Sequence, residues 1–166
     1  MCCEDFPARP WSPLVNEVPS ATDAEAVRQL IGREPLTGFR VAARCPHGAP
    51  AVIENDPVDD AGRPFPTRYW LVCRALGTAV SRLEAAGGVS ALDSEARLAE
   101  PLNAAHERHR ALHNGYRIGG VGDPLHTKCL HAQLAFGLAT GGGPVTDWIW
   151  EQSGAAWPAH CCKEPR

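Results

Sequence analysis

The chain has 166 residues, of which 44% are hydrophobic and 21% charged, the composition of an ordinary globular protein able to bury a core without staples. Sixteen Lys and Arg against nineteen Asp and Glu give a net charge of −3, so no basic field exists to hold a nucleic-acid backbone. No apolar run approaches the roughly 20 residues of a membrane span, and the acidic start Met1-Cys2-Cys3-Glu4-Asp5 lacks the basic and apolar regions of a signal peptide. A cytoplasmic protein with neither nucleic acid nor membrane as partner is expected.

Residues 1–20 hold four prolines and little periodicity, and read as a surface arm ahead of one α+β domain over 21–162 and a tail at 163–166. Thr22 and Glu25 have capping-box spacing, and Ala26, Val27, Leu30 and Ile31 recur at helical intervals before Gly32, which predicts a helix over 22–32. Gly38 to Cys45 and Ala51 to Glu54 read as two strands joined by a tight loop that carries Cys45 and His47. After a loop rich in Asp, Pro and Gly, the run Arg68-Tyr69-Trp70-Leu71-Val72-Cys73 is aromatic and β-branched and predicts a third strand ending at Cys73.

The second half is helical. Leu76, Ala79, Val80 and Leu83 mark an amphipathic helix closed by Gly87-Gly88. Two helices meet near Pro101, which fits a first turn. Gly115 to Gly122 is a loop; Gly119-Gly120-Val121-Gly122 lacks the Lys-Ser/Thr of a phosphate-binding loop. Residues 129–138 have helical length and spacing, and Thr146 can cap a last short helix. The sum is an α+β fold with a small mixed or antiparallel sheet of about three strands and about five to six helices.

Seven cysteines, an odd number in a chain without an export signal, suit thiols or metal ligands better than a disulfide framework. Cys45, Cys73, Cys129 and His131 stand at element ends or loops, and thiolate and imidazole are ligands of zinc and of iron–sulfur clusters. No Cys-x-x-Cys knuckle is present, and the competing reading makes each cysteine a small buried hydrophobe. Residues two apart on a regular helix diverge by about 200°, so Cys129 and His131 can share an ion only if Cys129 precedes the helix or opens a distorted first turn. At a helix N-terminus Cys129 would also be a good ligand or nucleophile. The alternative for His131 is packing beside Leu134, Ala135 and Leu138.

His106, His109 and His113 share one helical face. Interleaved with Glu107, Arg108 and Arg110, His109 and His113 read as a solvated stripe. His106 beside Glu107 reads as an acid–base pair. Trp148, Ile149, Trp150 and Trp157 read as core packing, with an interaction surface as the alternative.

Several motifs in order carry a resemblance: Arg44-Cys45-Pro46 with Gly48 and Pro50, the run from Gly62 to Cys73, Ser81-Arg82-Leu83-Glu84, Ala105-His106-Glu107, and Lys128-Cys129-Leu130-His131. Over about residues 22–162 the chain resembles the bacterial domain of unknown function 501 family, found mainly in high-GC Gram-positive bacteria. The Arg- and Ala-rich composition agrees with that source. The resemblance implies a shared Cys/His site built from Cys45, Cys73, His106, Glu107, Cys129 and His131. His47 and Phe136 depart from the Cys and His of many relatives, and His47 or Cys161 stands in reserve as a further ligand. The resulting expectation is a zinc or iron–sulfur protein, a small hydrolase or lyase on a small molecule, with His106 and Glu107 as acid–base partners. A metal-free thiol enzyme with Cys129 as nucleophile, or a non-catalytic interaction module, are the alternatives.

Overall fold

A computed structural model describes residues 16–65 and 67–160. The expectations for Cys2, Cys3 and the prolines before residue 16, and for Cys161 and Cys162, lie outside the described residues. Three strands, β1 (Phe39–Arg44), β2 (Pro50–Asn55) and β3 (Tyr69–Leu71), form one antiparallel sheet in the order β1-β2-β3. Among the described residues six α-helices accompany it: α1 (Ala21–Ile31), α2 (Arg74–Ala85), α3 (Gly88–Ser94), α4 (Ala99–Leu112), α5 (Leu130–Ala139) and α6 (Pro144–Ser153). The fold is α+β. Among the described residues no helix is long and apolar enough to cross a membrane.

The alternation of β-strand side chains divides the core in two. Ile53 and Val72 point toward α1, where Val27 and Leu30 cover them. Val52 and Tyr69 face the opposite side, in a cluster with Leu76 and Val80 of α2, Leu102 of α4, Leu134 and Phe136 of α5 and Ile149 of α6. Helix α5 is buried along most of its length, as expected for an element clasped between the sheet and α6.

Local signals account for most boundaries. Helix α1 starts one residue earlier than the sequence predicts, because Ser20 and Asp23, rather than Thr22 and Glu25, form the capping box. Asp23 also takes Arg44 through both carboxylate oxygens at 2.7 and 3.0 Å, which anchors α1 to the end of β1. That Arg44 bond is the main reason the Asp23 carboxyl is held well below the ordinary carboxylate range. Gly32 closes α1 in the left-handed region, φ 76°, which a residue with a Cβ rarely adopts.

Other expectations shift. The third strand ends at Leu71, and Cys73 is the N-cap of α2 instead of a strand residue. Pro101 sits in the first turn of α4, where its missing N–H costs nothing. Helix α6 starts with Pro144 behind Gly143, so Thr146 is not its cap. Thr146 is buried where α6 crosses α5, so close to Gly137 that a Cβ there would collide with its hydroxyl. Trp148 and Ile149 join the core, and Trp150 and Trp157 pack against it with their rings 5.5 Å apart. This is the core-packing reading of the tryptophans.

The histidines of α4 are the largest departure. His109 and His113 are buried, not solvated, while Leu112 at the end of the same helix is 60% exposed. The face at offsets three and seven is real, but it turns inward onto Tyr69 of β3 and Phe136 of α5. His109 Nδ1 donates to the carbonyl of Tyr116 at 2.6 Å, and His113 Nε2 is hydrogen-bonded to the Tyr69 hydroxyl at 3.0 Å. Each buried imidazole therefore has a polar partner, which is the condition for placing it in a core.

Candidate metal centre

The run into α5 is fixed before the helix starts. Asp93, near the end of α3, accepts the Thr127 backbone N–H at 3.0 Å and pairs with the His126 ring at 2.9 Å. Cys129 then takes an extended conformation, φ −158° and ψ 126°, as the N-cap of α5. This is the condition under which Cys129 and His131 can face a common point, since the 200° divergence applies only within a regular helix.

They do converge, and Glu84 of α2 joins them. Ligand-type atoms of Glu84, Cys129 and His131 all lie within 4.8 Å of one another. His131 Nδ1 is 3.1 Å from Glu84 Oε1 and 3.7 Å from Cys129 Sγ. Glu84 Oε1 also accepts the Leu130 backbone N–H at 2.6 Å, so an orphan donor of the first turn of α5 fixes the carboxylate. On the other side of the ring, His131 Nε2 donates to the Gly77 carbonyl at 3.1 Å and lies 3.1 Å from the Ser81 hydroxyl. Gly77, Ser81 and Glu84 are spaced by four and three on α2 and present one face to His131.

The electrostatics follow from this geometry. The hydrogen bond to Cys129 is the strongest influence on the His131 imidazolium; with the Glu84 carboxylate and the Gly77 carbonyl it outweighs burial and pushes the ring up to about 9. Burial would raise Glu84, but the charge of His131 and the bonds from Leu130, His131 and Cys129 hold its carboxyl below the ordinary value. The group is half-buried at the edge of a cleft of about 420 Å³, which Cys129 and His131 line together with Tyr69 and Phe136.

The other expected ligands are elsewhere. Cys45 is buried in the β1–β2 turn, and Cys73 is buried at the start of α2; neither belongs to the cluster. His47 is exposed and bonds the Pro158 carbonyl at 2.7 Å. The structure does not bring His106 and Glu107 together as an acid–base pair. His106 is completely buried, with Nδ1 accepting the Ile118 N–H at 3.2 Å and Nε2 3.4 Å from the Gln133 amide. Burial is the main reason its ring is held below the ordinary imidazole value. Glu107 is on the outer face, paired with Arg110 at 2.9 Å and Arg117 at 3.5 Å. Adjacent residues on a helix point in different directions, which is why the pair separates.

The sequence does not point to Glu84 as a member of the cluster. Its only signal was membership of the Ser81-Arg82-Leu83-Glu84 motif, and a carboxylate 45 residues from Cys129 has no spacing to recognise.

Fold and cluster together define an α+β protein with a Glu/Cys/His group at the edge of a cleft. Residues 41–117, from β1 to just beyond α4, match the family model described as Protein of unknown function (DUF501), the family its motifs resemble. The matched stretch includes Cys45, Cys73, Glu84, His106 and Glu107 and ends before Cys129 and His131. No curated protein and no solved structure matches the chain.

Proposed function

We propose that Glu84, Cys129 and His131 hold a divalent metal ion, zinc by the chemistry of the donors, and that the protein is a small metal-dependent hydrolase or lyase. The carrying observation is the meeting of one carboxylate oxygen, one thiol sulfur and one imidazole nitrogen within 4.8 Å, with the far ring nitrogen of His131 tied to the Gly77 carbonyl. A ring N–H anchored on a carbonyl is the usual support for a metal-ligating histidine, because it fixes the tautomer and aims the other nitrogen. A carboxylate held by a backbone N–H is supported in the same way.

Three protein ligands beside a cleft suit a metal with one coordination position left for a small-molecule substrate. A metal in such a site supplies Lewis-acid chemistry. One sulfur in the group favours zinc over an iron–sulfur cluster, whose irons take mostly thiolates. Full-length protein purified without added chelator and analysed by mass spectrometry is expected to carry close to one zinc per chain. Protein carrying both Glu84→Gln and His131→Ala is expected to carry none. Equal metal content in the two proteins contradicts the proposal.

The 3.7 Å contact between Cys129 Sγ and His131 Nδ1 favours one second reading, a thiol enzyme with Cys129 as nucleophile and His131 as its partner. It predicts rapid single-site alkylation of Cys129 in protein that has never bound metal.

A further inference from the structure

The cleft beside the cluster has a charge pattern unlike that of the whole chain. The protein carries a net charge of −3, yet the Lys, Arg, Asp and Glu side chains that line this cleft are both basic, Arg68 and Lys128. No Asp or Glu is among the lining residues. Tyr69 and Phe136 supply aromatic surface in the same space. A cleft with one sign of charge on low-dielectric walls concentrates ions of the opposite sign.

Arg68 adds a more specific observation. Its Nη2 donates to Glu54 at 2.8 Å, but Nε and Nη1 are buried with no hydrogen-bond partner among the described residues. Buried donors without a partner are rare in native proteins and cost about 1–3 kcal/mol, more when charged. Guanidinium is also the side chain best matched to carboxylate and phosphate oxygens. Lys128 stands exposed at the same cleft, directly before Cys129, and has no carboxylate partner among the described residues.

We infer that the cleft takes a small molecule with an apolar body and an anionic group, carboxylate or phosphate, and that Arg68 and Lys128 bind the anion. The inference deepens the metal-site reading by naming the substrate class, and it rests on that reading only for the reaction. Arg68 holds the charged end, Tyr69 and Phe136 contact the body, and the cluster of Glu84, Cys129 and His131 stands within reach of the same space.

Calorimetric titration with benzoate and with phenyl phosphate tests this, on zinc-loaded and on metal-stripped full-length protein. Saturable one-to-one binding of at least one probe is expected, and the tighter probe identifies the anion. Arg68→Met and Lys128→Met are each expected to weaken that binding by at least about tenfold, the loss of a charge-assisted contact, while Glu107→Gln on the outer face leaves it unchanged. If circular dichroism shows that Arg68→Met does not fold, Lys128→Met decides, since that side chain is exposed. No saturable binding of either probe, or unchanged affinity in the folded variants, overturns the inference. Arg68-dependent binding to protein that holds no zinc upholds the anion site where the metal reading fails. Bound zinc without anion binding leaves the metal reading standing and removes this one.

Discussion

Replacing Cys129 by serine is expected to weaken zinc binding by more than about a hundredfold, because even changes to residues that only orient a ligand cost about 10–100-fold. The Cys45→Ala and Cys73→Ala proteins are expected to keep wild-type zinc affinity, although each loses stability from a small core cavity. The contrast follows from position: Cys45 and Cys73 are buried in the core at the β1–β2 turn and the start of α2, whereas Cys129 shares a half-buried cluster with Glu84 and His131. Competition against a chromogenic chelator measures all three affinities in the folded proteins. Equal loss in all three would return the site to the wider cysteine set that the sequence suggests.

Acid is expected to destabilise the fold through the histidines of α4. Burial is the main cause that pushes His113 down to about 4, with His109 and Arg68 adding positive charge beside it, and His109 is lowered by burial as well. The unfolded chain takes a proton near the ordinary imidazole value, about 6.5, while the native ring resists it. Protons then bind preferentially to the unfolded state, and stability falls as pH drops from about 6.5 to about 4, levelling off below. For His113 alone the loss reaches at most about 3–4 kcal/mol at 1.36 kcal/mol per unit of pKa. The Tyr69 hydroxyl, pushed above its ordinary value chiefly by burial, stays protonated beside His113 throughout this range. Urea unfolding at pH 7 and pH 4.5 reads the effect, and His113→Gln should show a shallower pH dependence. A wild-type midpoint unchanged between those pH values would rule out the buried neutral ring.

Periodicity located the helices and strands well because it reports on local burial. Leu76, Val80 and Leu83 could only be one face of a helix, and Tyr69 and Trp70 only opposite sides of a strand. The faces of α4 were equally visible, but their direction was not. Histidine is nearly as often inside as outside, and the arginines and glutamate between His106, His109 and His113 gave the helix the look of an exposed one. The partners that meet it inside are the Tyr116 carbonyl just beyond the helix and the Tyr69 hydroxyl of β3, and the second is too remote in sequence for any local pattern to contain. The candidate metal centre divides along the same line. The requirement that Cys129 precede its helix was legible from helix geometry alone, and the N-cap conformation meets it. Glu84 was not legible, since only the packing of α2 against α5 brings it to His131. His106 and Glu107 illustrate the opposite error, in which adjacency in sequence suggested a contact that a helix cannot make.

The metal proposal is tested most directly by cobalt substitution. Cobalt(II) takes zinc's place in thiolate-containing sites and gives a sulfur-to-metal charge-transfer band in the near ultraviolet. Adding cobalt to metal-stripped full-length protein should produce this band to saturation at one equivalent in the wild type and in the Cys45→Ala and Cys73→Ala proteins, and not in Cys129→Ser. A wild-type spectrum without the band, or a band that survives Cys129→Ser, would contradict a metal held by Glu84, Cys129 and His131.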